Sequence, residues 1–154
     1  MALVITSSAF AEGQAIPSRY TCDGTDVSPD LTWSGVPETV ASLALICDDP
    51  DAPMETWVHG VLFNIPGNAA GLPAEIPPDA TLENGARHGK NDFGKLGYGG
   101  PCPPGGTHRY FFKLYALDTG LELHSGITKA QLLSAMEGHI LAEGQLMGTY
   151  SRQK

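Results

Sequence analysis

The stretch ICDDPDAPMETWVHG, Ile46–Gly60, ends an apolar run in Asp48, Asp49, Pro50 and Asp51 and places His59 in the next apolar run. A carboxylate beside an imidazole orients the ring and favours its protonated form, an arrangement that serves proton transfer or the holding of an anion. Aspartate near proline is also ordinary turn chemistry, and Asp51 before Ala52-Pro53 fits a turn with no further meaning. Asp49 is harder to dismiss, because it shares strand parity with Leu43, Leu45 and Cys47. His59 stands on a mostly apolar face, where a hydrogen-bonded core histidine is the plain alternative.

A second constellation is GGPCPPGGTHRY, Gly99–Tyr110. His108 precedes a strand whose inward face starts with Tyr110, and the glycines before them leave backbone amides open to close approach. Imidazole N–H, phenol O–H and backbone N–H are all donors. Donors converging with one carboxylate describe a small anion pocket. Asp49, His59 and His108 could also imitate a facial metal triad. The sequence holds no HExxH or GxSxG motif and no serine in a recognisable nucleophile turn, so the reading is non-enzymatic, without cofactor or metal.

Several elements must carry these residues. Short runs rich in β-branched and aromatic residues predict strands at Leu3–Phe10, Ser42–Asp48, Trp57–Ile65 and Arg109–Asp118, with a further short strand in SPDLTWSGVP. In Trp57–Ile65, strict alternation puts Trp57, His59, Val61, Phe63 and Ile65 on one face. In Arg109–Asp118, Tyr110, Phe112, Leu114 and Ala116 share a face, with Arg109 and Lys113 opposite. Thr128 and Gln131 form a capping box for one substantial helix, striped by Leu132, Leu133, Met136, Ile140 and Leu141 and stopped at Gly144. QLMGTYS comes next as a last short strand. Strands with one late helix and no βαβ alternation predict a mostly antiparallel β fold. The connection from Pro66 to His108 holds ten glycines and seven prolines in 43 residues, yet its aromatics mark it as an ordered wall rather than a tether.

Composition bounds the partners. The 154 residues are 42% hydrophobic and 17% charged, which predicts one globular domain over 1–154. A net charge of −8 repels phosphodiester backbones and anionic bilayers, so nucleic acid is not expected as a partner. No window approaches the ~18 apolar residues of a membrane span, so no integral membrane association is expected. Cys22, Cys47 and Cys102 are an odd number with no CxxC pair, so a disulfide framework is not expected and a reducing, cytoplasmic compartment is.

At this point DDPDAP, TWVHGVLFNIP and GKNDFGKLGYGGPCPPGGTHRYFFKLYALD resemble the phosphatidylethanolamine-binding protein (PEBP) family, in particular its bacterial Raf-kinase-inhibitor-like branch. YTCDGTDVSPDLTWSGVP and LLSAMEGHILAEGQLMGTYSR extend the resemblance over nearly the whole chain. It implies an antiparallel β-sandwich, Greek-key-like, with one or two peripheral helices. It also implies a pocket for phosphate-like anions or phospholipid head groups. Asp49, His59, His108 and Tyr110 would line that pocket, Trp57, Pro53 and Gly100 would form its walls, and the Gly100 region would add backbone contacts. Asp51 would brace the turn. Val58 stands where animal members carry a second histidine, and Cys102 stands where they carry a proline. A small anionic or phosphorylated ligand is the expected partner. A protein target (kinase or serine protease, as an inhibitor would have) and a homodimer stay open beside it.

Overall fold

Alternation of apolar and polar residues builds two antiparallel sheets in the computed structural model, which describes residues 3–152. The strands are β1 (Val4–Thr6), β2 (Leu31–Ser34), β3 (Ser42–Asp49), β4 (Trp57–Pro66), β5 (Gly71–Leu72), β6 (Arg87–His88) and β7 (His108–Leu117). The helix α1 (Lys129–Met136) and the strand β8 (Ile140–Tyr150) complete the chain. The small sheet has the order β1-β2-β5, and the large one β6-β4-β3-β7-β8. Their facing sides share one core, in which Leu31, Trp33 and Leu72 meet Leu43, Leu62, Phe112 and Leu114. This is the sandwich; its buried face of the large sheet is called the front. On the back, Ala44, Ile46, Val61 and Phe63 pack under Leu132 and Met136 of α1.

The front face holds its alternation strictly in β7, where His108, Tyr110, Phe112, Leu114 and Ala116 are all buried. In β4 the expected single face for Trp57 through Ile65 does not form. Val61 and Phe63 pack on the back, while Leu62 and Ile65 join the front core. Two register shifts cause this, between Cys47 and Asp48 and between Leu43 and Leu45. Asp48 pairs with Val58 but Cys47 already pairs with Gly60, so His59 is the extra residue of a bulge. The second irregularity contains Asn64, whose φ is 56°. Each inserted residue reverses the parity of the strand beyond it.

Three further expectations are corrected. The first strand is shorter, Val4–Thr6. The helix begins with the expected reciprocal capping box of Thr128 and Gln131 but ends at Met136, with Glu137 already at ψ 127°. Ile140 and Leu141 belong to β8, which pairs with β7 from Ile140 to Tyr150; a continuous ladder outweighs the helical pattern of the sequence. Gly144 is therefore no helix stop. A Cβ there would lie 2.2 Å from the Leu3 carbonyl oxygen, so glycine admits the chain that crosses this edge. Finally, Cys22 and Cys102 form a disulfide across a separation of 80 residues, and Cys47 is the free, buried cysteine. The expectation of no disulfide fails, and with it the thiol argument for a reducing compartment. Sequence spacing cannot see a pair that only the fold brings together.

Candidate functional site

β3 runs antiparallel to both its neighbours, so its C-terminal end lies between the N-terminal ends of β4 and β7. That arrangement gathers Asp49, Trp57, His59, His108 and Tyr110 at one end of the front face. They line a cleft together with Pro53, Phe93, Cys102 and Pro104. Plain alternation puts the His59 ring on the same side as Trp57, and the bulge reverses parity only beyond it, from Gly60 onward.

Each polar group has a defined tie. His108 Nδ1 donates to Asp49 Oδ2 at 2.7 Å, both side chains being buried. The other Asp49 oxygen accepts the Asp51 amide at 2.8 Å. The carboxylate is thus spent within the protein, and His108 keeps Nε2 uncommitted. His59 Nδ1 donates to the Gly99 carbonyl at 2.7 Å, which likewise leaves its Nε2 free. Its ring stands edge-on to Tyr110 at 5.2 Å and to Phe93 at 5.4 Å. Tyr110, only 1% exposed, has a buried hydroxyl with no hydrogen-bond partner among the described residues. An unpaired buried hydroxyl is costly unless something else satisfies it.

Burial sets the electrostatics. Desolvation lowers the His59 pKa, with the Gly99 carbonyl and the Asp49 charge partly opposing it, so the free cleft holds a neutral imidazole there. Burial, followed by the Asp49 charge, raises the Tyr110 pKa, so the phenol stays a donor. Outside the cleft, Asp51 receives three bonds of 2.9 Å from Arg109, from the amide, Nε and Nη2. These guanidinium bonds hold the Asp51 pKa down to about 2 and tie the aspartate-proline turn to the start of β7.

The structure thus brings together Asp49, His59, His108, Tyr110, Trp57 and Pro53. Gly100 is the exception. Its amide donates to Asp26 Oδ1 at 2.8 Å, so that donor is not available to the cleft, which Gly100 does not line. A Cβ there would meet the Tyr20 carbonyl oxygen, so only glycine fits; the adjacent Gly99 carbonyl accepts from His59, and the Gly100 backbone also acts on that ring. Asp49 and His108 face each other, and among the described residues no group of three or more His, Cys, Asp or Glu is placed to hold a metal ion. Phe93 and Asp26 escape sequence reasoning, since neither stands near a polar motif that would single it out. Among the described residues no helix is long and apolar enough to cross a membrane.

A two-sheet antiparallel sandwich with this strand-end cleft defines the class, and comparison with known proteins agrees. The phosphatidylethanolamine-binding protein family model matches residues 6–151, and the chain belongs to that family. A UPF0098 protein of Methanothermobacter thermautotrophicus is 55% identical over 96% of this chain and 98% of its own length. The crystal structure of a PEBP homolog from Chlamydia trachomatis superposes with a TM-score of 0.91 at 41% identity, covering 99% of both chains. That of YbcL from E. coli, a member of the mammalian PEBP family, gives 0.92 at 35% identity, covering 99% of this chain and 100% of the other.

Proposed function

We propose that this binding protein holds a phosphate-like anion, free or as part of a head group, between His59, His108 and Tyr110, without chemical conversion. The observation that carries the reading is the buried Tyr110 hydroxyl with no partner, standing beside two imidazoles that each keep one nitrogen uncommitted. An anion would satisfy all three. Asp49 fixes the His108 ring through Nδ1 and leaves Nε2 for the ligand, and the walls of Trp57, Phe93 and Pro53 strengthen each charge-assisted bond. Among the described residues no free serine, threonine, lysine or cysteine lines the cleft, Cys102 being in the disulfide. That lining favours binding over covalent catalysis.

Calorimetric titration of sulfate and phosphate into the wild type, His108→Ala and Tyr110→Phe tests this. Loss of one charge-assisted bond is worth about 1.5–3 kcal/mol, so His108→Ala should weaken binding roughly tenfold to a hundredfold. Tyr110→Phe should weaken it less. Unchanged affinity in both variants would refute the assignment.

A further inference from the structure

The loop from Thr21 to Asp26 lies behind the cleft and grips the strap from Tyr98 to Pro104 that forms its wall. The Cys22–Cys102 disulfide is one tie. The Cys22 amide donates to the Pro101 carbonyl at 3.1 Å, and the Tyr98 hydroxyl donates to the Tyr20 carbonyl at 2.7 Å. Asp26 supplies the last tie through the Gly100 amide, and does so from a left-handed backbone with φ 61°. A non-glycine residue there persists only where its surroundings impose it.

One peptide transmits this grip. The Gly99 carbonyl that accepts from His59 and the Gly100 N–H that donates to Asp26 belong to the same planar unit. Turning one turns the other. The loop therefore sets the carbonyl that fixes which nitrogen of His59 stays free. Cys102 itself lines the cleft, and both half-cystines are partly exposed, within reach of a reductant.

We propose that Cys22–Cys102 is a thiol–disulfide exchange site that controls the anion cleft, an inference that rests on the anion reading of that cleft. Oxidised, the bond holds the strap and the Gly99–Gly100 peptide against His59. A dithiol reductant opens it: one thiolate attacks a cysteine sulfur, the S–S bond breaks, and the reductant's second thiol displaces the mixed disulfide. Two electrons and two protons pass to Cys22 and Cys102, and the reductant leaves as its own disulfide. The remaining ties keep the strap nearby but loosened. Binding must then reorder it, which weakens affinity about tenfold if the ordering of one further backbone residue is charged to binding.

The test compares oxidised protein with protein reduced by dithiothreitol. One readout needs no ligand: amide hydrogen exchange at Gly99 and Gly100 against amides of β3. The other is sulfate affinity. Reduction should speed exchange at Gly100 at least about tenfold with β3 unchanged, raise the sulfate Kd about tenfold, and reverse on reoxidation. Exchange at Gly100 and sulfate affinity both within twofold of the oxidised protein would overturn the proposal. So would exchange that rises uniformly, or a reduced chain that unfolds, since the bond would then support the fold rather than the cleft. If oxidised protein binds no sulfate, the anion reading fails, and Gly100 exchange alone decides whether the disulfide governs the strap.

Discussion

Asp48 and Asp49 are neighbours in the chain and point to opposite faces of one sheet. On the back, Asp48 is 0% exposed and its Oδ2 meets Lys113 at 3.2 Å and Lys129, the first residue of α1, at 2.7 Å. On the front, Asp49 meets one imidazole. The back cluster sets two ammonium groups on one carboxylate and pins the helix to the sheet. The front pair joins one carboxylate to an imidazole whose second nitrogen is left for a ligand. The same side chain is a brace on one face and an adjustable contact on the other, and the partner makes the difference.

The widest separation is expected on substitution. Asp48→Ala leaves two ammonium groups at the sheet–helix seam without their carboxylate, which should cost about 3–5 kcal/mol in urea unfolding. Sulfate affinity of the folded fraction should stay within twofold. Asp49→Asn should do the reverse at pH 7.5, costing about 1–2 kcal/mol of stability while weakening sulfate about tenfold, because the His108 ring loses the carboxylate that fixes its orientation. Equal loss of affinity from both would erase the contrast.

Acid sharpens it further. Burial lowers the pKa of His59 and of His88 below the ordinary value. The unfolded chain then binds more protons than the folded one below about pH 6.5, so these groups' contribution to stability is present above that value and lost as pH falls through it. An anion on His59 acts oppositely, raising its pKa in the complex. Sulfate affinity should therefore grow as pH falls from 8 towards 6, by up to about tenfold per unit for each proton taken up. Sulfate stays doubly ionised over that range, so the trend belongs to the protein. A flat profile would remove the histidines from anion recognition.

The smallest effect belongs to Asp51 and Arg109, partly exposed on the rim. Arg109→Ala should cost little stability, as loss of a surface pair does. The loss should shrink as pH falls below the ordinary aspartate value and vanish below about 2, where the paired Asp51 is itself protonated. A larger loss would make the turn part of the cleft's own support.

Legibility tracks the range of each interaction. The capping box of Thr128 and Gln131 is local, and it forms where the residues say it should. The front face of β7 obeys alternation and is readable as far as Tyr110 and Phe112. The β4 parity is not, because a bulge is set by what the neighbouring strand offers: Cys47 pairing with Gly60 displaces His59. Ile140 and Leu141 fit a helical stripe, yet the free edge of β7 takes them into a strand. Gly100 has the character of a donor to the cleft, but Asp26 claims its amide.

Readable from the residues alone are the types that gather at the strand ends, the β7 face from Tyr110 to Ala116, and an antiparallel β architecture with one helix; His108 joins that face only because the strand starts one residue earlier. Those arise from periods of two and 3.6 residues and from capping, all interactions between near neighbours. Only the tertiary structure decided that Asp48 would take lysines and Asp49 a histidine. It alone joined Cys22 to Cys102 across 80 residues and placed Asp26 behind the peptide that holds His59. Each of these depends on groups far apart in the chain, whose meeting is set by the packing of the two sheets and by no local preference.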